Sequence, residues 1–335
     1  MADPPGDLIK TPFVGDGMDA LSDVLRVMRL TGGLFLYAEF CEPWCLSVKV
    51  APKSCGAHLG PNAQIIPYHY VLDGRICVRM EDGVEFEAES GESVLFPRND
   101  RHVLGSDLSL PAVPSETVVH FADDGSLATI MLDGTGSRTR VVCGFLGGEQ
   151  VHGNPIIAAL PSALRLNMRN SESAAWIRST FRYAAEQIAA GRQGSEAIMG
   201  KLSEVLFVEA IQRYVETLGE AGTGWFAGLK DPFVSRALAL LHARIEEPWT
   251  VDQLGRETGL SRSALAARFN EIIGLPPMQY LANWRIHVAA RKLIEGNKPV
   301  LQIAQEVGYE SEASFTRAFK RIMDMPPGAW RRLRT

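Results

Sequence analysis

The sequence predicts an α+β multidomain protein: an N-terminal β-barrel, a helical hairpin linker, and a C-terminal all-α domain with two helix-turn-helix units. Three observations carry this. Between Gly32 and Gly148, short β-rich runs alternate with Gly, Pro, Asp and Asn, and no helix-length periodic segment interrupts them. After Pro161, apolar residues fall at helical spacing through two long segments. From Asp231 onward the chain is helical, sharply punctuated, and uses one segment twice. The 335 residues divide into a barrel over 18–155, a hairpin and linker over 156–228, and the repeat domain over 229–335.

In chain order, residues 1–17 are rich in Pro, Gly and Asp and read as disordered, and Ser22 is placed to cap a short helix, DVLRVMRL. The runs GGLFLYAEF, CLSVKV, YHYVLDGRICVRM, GVEFEAESG, ESVLFP and TRVVCGFLGG are the expected strands, enough for a barrel or jelly roll. SESAAWIRSTFRYAAEQIAAG and SEAIMGKLSEVLFVEAIQRYVETLG, joined by GRQG, form the hairpin. In its second helix Ile198, Leu202, Val205, Val208 and Ile211 make one stripe, which either packs on its own domain or forms a homodimer interface. GEAGTGW is the linker.

Composition is ordinary for a globular chain, 46% hydrophobic and 22% charged. No run of about 18 apolar residues occurs, so no membrane span is expected. MADPPGDLIK lacks the basic start and apolar core of a signal peptide, so the cytoplasm is the expected compartment. Thiols stay reduced there, and the five cysteines read as metal ligands or sensors rather than staples. The net charge of −5 is uneven: Lys230 to Thr335 hold 16 Lys+Arg and 11 Asp+Glu, the remainder 18 and 28. A basic tail on an acidic body suits a polyanionic partner.

The repeat lies in that tail. GLSRSALAARFNEIIGLPPMQYL and GYESEASFTRAFKRIMDMPPGAWRR align at a constant offset of 50 residues. Leu265 answers Phe315, Phe269 answers Phe319, Ile272 answers Ile322, the pair Pro276–Pro277 answers Pro326–Pro327, and Tyr280 answers Trp330. Each copy reads helix, Gly-containing turn, helix, with Thr250, Ser261 and Ser311 as N-caps and Gly259 and Gly308 ending the first helices. On the helical wheel of the second copy, Phe315, Phe319 and Ile322 face inward, while Ala313, Thr316, Arg317 and Lys320 face outward. Arg317 is suited to a guanine edge in the major groove and Lys320 to a phosphate. In the first copy the outward face is small, with Ser263, Ala266, Ala267 and Asn270, so Arg262 and Arg268 are expected mainly to grip the backbone of double-stranded DNA.

IAQEVGYESEASFTRAFKRIMDMPPGAWRR closely resembles the AraC/XylS family of bacterial transcription regulators, and with the first unit the resemblance covers about 100 residues. It implies two helix-turn-helix units on one connecting helix, with recognition helices in successive major grooves. Asp324 stands where that family often has Gly, and Asp tolerates a left-handed helix end. The upstream segments YHYVLDGRICV and ESGESVLFPRNDRHVL resemble the two halves of a cupin barrel, which such regulators use as an effector domain.

In metal-binding cupins, histidines of both halves converge inside the barrel. The resemblance puts His69 and His102 near those positions, although no H-x-H occurs and the glutamate of the first half has no match. With Cys41 and Cys143 facing the same cavity, as the resemblance implies, two thiolates and two imidazoles suit Zn²⁺, or Cu(I) at lower coordination. Cys45 is then a reserve ligand or redox partner for Cys41; Cys55 and Cys77 read as structural and His58 as an outside candidate. Other readings stay open. Arg75 and Arg79, four apart on a strand, could clamp the phosphates of a cyclic dinucleotide, or a metal-free barrel could take a sugar or organic acid. A ligand-free dimeric binder and a metal-dependent cupin enzyme with a DNA-binding appendage also remain; the expected class is a regulator, not an enzyme.

Overall fold

The computed structural model describes residues 20–22, 24, 31–51, 64–120, 128–148, 157, 159–167, 172–189, 195–219 and 223–332. Residues 20–22 are already helical, so Ser22 lies inside a helical turn rather than capping one; 25–30 lie outside the described residues, as do 1–17 and GRQG.

The β-rich part forms two facing sheets. The six-stranded sheet has the order β11 (Leu164–Asn167), β6 (Glu92–Leu95), β3 (Gln64–Asp73), β10 (Arg138–Gly148), β1 (Thr31–Cys41) and β9 (Ala128–Leu132). The five-stranded sheet has the order β5 (Glu85–Glu89), β4 (Arg75–Met80), β7 (His102–Gly105), β2 (Cys45–Val48) and β8 (Val113–Pro114). Leu46, Val48, Ile76, Val78 and Met80 from the second sheet meet Val71, Val94, Phe96, Val141 and Phe145 from the first in one buried core.

The six-stranded sheet is also covered on its other face. Ile66, Tyr68, Tyr70, Val142 and Leu146 pack there against helices α1 (Glu172–Ala189) and α2 (Ser195–Thr217), through Phe181, Leu202, Leu206, Phe207 and Ile211. This is why β3 reads as an almost unbroken apolar run, whereas β4, solvated outside, alternates. It also corrects the expected stripe on α2. The buried line is Leu202, Ser203, Leu206, Phe207, Ala210 and Ile211, while Ile198 and Val205 are exposed. The expected barrel boundary at 155 falls short of β11, whose ladder to β6 belongs to the sheet.

The C-terminal part contains α3 (Trp225–Lys230), α4 (Pro232–Ala243), α5 (Val251–Thr258), α6 (Arg262–Ile273), α7 (Pro277–Glu295), α8 (Val300–Glu306), α9 (Glu312–Met323) and α10 (Pro327–Arg332). Thr250 and Gln253 form a capping box on α5, Ser261 caps α6 and Ser311 caps α9. Gly259 (φ 81°) and Gly308 (φ 83°) end the first helices of the two units in the left-handed conformation. Gly274 (φ 80°) and Asp324 (φ 57°) end α6 and α9 the same way, so the Asp does what its Gly counterpart does. Leu265 and Phe269 bury into one core, and Phe315, Phe319 and Met323 into another; Ile272 and Ile322 are only half-buried.

Candidate functional site

Strand register decides which ligand candidates meet. Cys143 on β10 lies opposite His69 on β3, and both point between the sheets with Val71, Val141 and Phe145. The Cys143 Sγ is 2.9 Å from His69 Nδ1, His69 Nε2 is 3.0 Å from His102 Nε2, and His102 Nδ1 is 2.9 Å from the Asp100 carbonyl oxygen. Phe96 stacks flat on the His102 ring, with centroids 3.6 Å apart. Exposure is 5% for Cys143, 2% for His69 and 1% for His102, so a substrate has no approach to these atoms without rearrangement.

The proton positions follow from donor–acceptor logic. A carbonyl only accepts, so His102 Nδ1 carries a hydrogen and its Nε2 is the acceptor. His69 must then donate from Nε2 and accept at Nδ1, where the Cys143 thiol donates. Every hydrogen bond in this chain is satisfied by neutral groups. Burial works in the same direction: it holds His69 well below the ordinary imidazole value, with His102 adding to the effect, lowers His102 to about 4, and pushes the Cys143 thiol up.

Cys41 is not part of this group. It lies opposite Arg138, whereas Cys143 lies opposite Leu36, five positions away along β1 or roughly 17 Å at the usual strand rise. An odd offset also turns it to the other face, because Leu36, Ala38 and Phe40 are the inward residues. Among the described residues no three Cys, His, Asp or Glu side chains surround one point. Cys45 and Cys77 flank Gly105 from either side on the face of the second sheet turned away from the first, Cys45 buried and Cys77 half-buried; Cys55 and His58 lie outside the described residues. Arg75 and Arg79 share a face as expected, but it is the outer one, and each pairs with a carboxylate of β5 at 3.5 Å, Glu87 and Glu85 respectively. Arg79 also donates to the Leu108 carbonyl. A phosphate clamp would have to displace both carboxylates.

The buried chain touches a second contact that sequence reasoning missed. Tyr68, next to His69, points out of the barrel, and its hydroxyl lies 2.7 Å from Ser203 Oγ on α2. The ring crosses Gly144, next to Cys143, so closely that a Cβ there would fall 2.2 Å from the Tyr68 oxygen. Beyond α2, Tyr214 packs edge-on against Phe226 of α3, and the Trp225 indole N–H donates to Tyr280 of α7. One apolar core therefore runs from the back of the barrel to the first helix-turn-helix unit.

On the helical surface, Arg262, Ser263 and Ala267 of α6 are exposed, as are Ala313, Arg317 and Lys320 of α9, with Thr316 half-buried. Arg268 departs from the expected backbone grip. Its Nε donates to Asp231 at 2.7 Å and its guanidinium lies over the Phe233 ring. Asp231 also caps α4 by accepting from Phe233 and Val234 N–H. Burial alone would raise the Asp231 carboxyl, but Arg268 and the two N–H groups outweigh it and hold the carboxyl below its ordinary value. The sequence signal was legible: an Asp before Pro at a helix start.

Two helix-turn-helix units behind a two-sheet barrel define a DNA-binding protein with a cupin domain, and two family models match accordingly: "Cupin" over residues 19–216 and "Helix-turn-helix domain" over 254–333. The chain is 30% identical over 320 residues to a putative AraC-like transcription regulator of Streptomyces lividans, covering 94% of this chain and 98% of the relative. It is 29% identical over 316 residues to the HTH-type transcriptional regulator AlkR of Acinetobacter baylyi, covering 94% and 99%. It is 25% identical over 318 residues to the RCS-specific HTH-type transcriptional activator RclR of Escherichia coli, covering 94% and 97%. The chain belongs to the AraC-like transcription regulators and carries a cupin domain. No described helix is long and apolar enough to cross a membrane.

Proposed function

We propose that this regulator reads double-stranded DNA through α6 and α9 and is controlled by a soft metal ion taken up at the Cys143–His69–His102 chain. The observation that carries the second part is the chain itself: three soft or borderline donors, joined end to end and sealed between two sheets. His69 lies between its two partners, so the donors form a line and not a cage. That suits the low coordination of Cu(I), whereas the four ligands of a Zn²⁺ site are not assembled because Cys41 lies elsewhere. The ion would be held by two facing donors, His69 with Cys143 or His69 with His102, and would take the place of the proton that the pair shares. Any shift of His69 and Cys143 moves Tyr68 and Gly144, their neighbours on the same strands, and through them the Ser203 contact on α2. Effector and DNA would then be linked through the arrangement of barrel and helices. The raised thiol argues against Cys143 as a resting target of oxidants, because the thiolate is the reactive form. The working form is a homodimer, joined through the outer faces of α1 and α2, where Trp176, Tyr183, Ile198 and Val205 are exposed.

Competition for Cu(I) against a chromophoric chelator is expected to load about one ion per wild-type chain, to fail in His69→Leu, and to be unchanged in Cys41→Ser. Copper should also change retardation of a duplex selected by the full chain from a random library. Equal uptake with and without His69 would end the metal reading.

For the DNA surface, Arg317→Ala is expected to cost about 1–3 kcal/mol on the selected duplex and to relax specificity at one base pair. Quantitative retardation on single-base variants of that duplex measures this. Equal weakening on every sequence would make Arg317 a phosphate contact.

A further inference from the structure

The two reading units have separate cores, and the helix they share changes allegiance at one residue. On α7, Tyr280, Leu281 and Trp284 belong to the core of the first unit. Ile286, Ala289, Ala290 and Leu293 belong to the core of the second. Arg285 stands between the two sets. Its Nε donates to the Ile245 carbonyl at 2.8 Å, and one terminal nitrogen donates to the Glu247 carbonyl at 2.6 Å; both carbonyls lie on the loop leading into α5 of the first unit. The other terminal nitrogen donates to the Gly308 carbonyl at 3.1 Å, in the turn of the second unit. The guanidinium also lies 6.0 Å from the Tyr309 ring centroid.

We infer that Arg285 is the positioning residue that sets the separation and angle of the two recognition helices, and so the spacing of the two DNA boxes this protein accepts. The inference rests on both units reading one duplex. A planar guanidinium offers a rigid fork of donors that holds three carbonyls in a fixed relation; a lysine ammonium has no such geometry. Gly308 carries the other half of the argument. Its φ of +83° already disfavours a side chain, and a Cβ there would fall 2.6 Å from the Arg285 guanidinium and 2.7 Å from the Glu246 carbonyl oxygen. The turn of the second unit thus comes against the loop of the first with room for the clamp and nothing more. Neither recognition helix is touched, so losing the clamp leaves each reading surface intact and frees only their relation.

The test uses the full chain and a duplex that it selects from a random library. Variants of that duplex carry one or two base pairs inserted or deleted between the boxes, and a further duplex holds one box. The wild type is expected to lose affinity about tenfold or more for each spacing change, the scale on which a wrong base pair is penalised. Arg285→Met should bind the one-box duplex as the wild type does, lose about tenfold on the selected duplex, and discriminate among spacings by no more than about threefold. Gly308→Ala, which displaces the clamp from the opposite side, should flatten the spacing profile in the same way. If Arg285→Met loses one-box binding as well, the Gly308→Ala profile decides. A uniform loss on all duplexes with the wild-type spacing profile retained would overturn the inference. A library with no enriched duplex would overturn the DNA reading beneath it.

Discussion

Phe319→Ala is expected to convert two-box DNA binding into one-box binding. Phe319 is fully buried, and with Phe315 and Trp330 it forms the aromatic centre of the second unit's core. Truncating a buried Phe costs about 3–5 kcal/mol, through lost transfer energy and the cavity left behind. That core is small and separate from the one running through the first unit, so the loss falls on one element and is not shared across the chain. A loss of that size is comparable with the total stability of a small domain. Denaturant unfolding followed by circular dichroism should show an early transition absent from the wild type, and affinity for a two-box duplex should fall to that for one box. Leu301→Ala is the control: Leu301 is 42% exposed on α8 and should change stability by less than about 0.5 kcal/mol. Undiminished two-box binding by Phe319→Ala would mean that the second unit is not a reading unit.

The second large effect is expected from Gly144→Ala. The residue is on a strand, where Ala is ordinarily tolerated, but its missing side chain is the space the Tyr68 ring occupies. A Cβ would sit 2.2 Å from the hydroxyl oxygen and 2.3 Å from the ring carbon bearing it. Neither the ring nor the ladder to His69 and Tyr68 can yield cheaply, because Tyr68 is fully buried between the sheet and Phe181. Overpacking of this kind costs about 1–3 kcal/mol. Displacing the hydroxyl from Ser203 leaves a buried polar group unmatched, at about 1–3 kcal/mol more. Thermal unfolding of the barrel should therefore fall sharply. In a double-mutant cycle with Tyr68→Ala the two costs should be strongly less than additive, because the smaller residue removes the clash. Additive costs would show that the Cβ is accommodated by some other movement.

The sequence by itself determined the helix-turn-helix domain nearly whole. Its caps, left-handed turns and paired apolar positions are local properties, set by neighbours within a few residues, and duplication at a constant offset of 50 residues doubled the signal. It also determined most strands, and it pointed to His69, His102 and Cys143. What it could not supply was register. Strand partners are distant along the chain, and a one-residue difference reverses the face, so Cys41 looked equivalent to Cys143 until the ladder put it five positions away and outward. The same holds for charge. Arg268 belongs to Asp231, 37 residues earlier, and Arg285 to three carbonyls of two different units, pairings that helical periodicity does not encode. Only the tertiary structure decided that the six-stranded sheet is buried on both faces, because burial depends on what arrives from elsewhere. Local order is written in adjacent residues; the partners of strands and of long charged side chains are chosen by the packed whole.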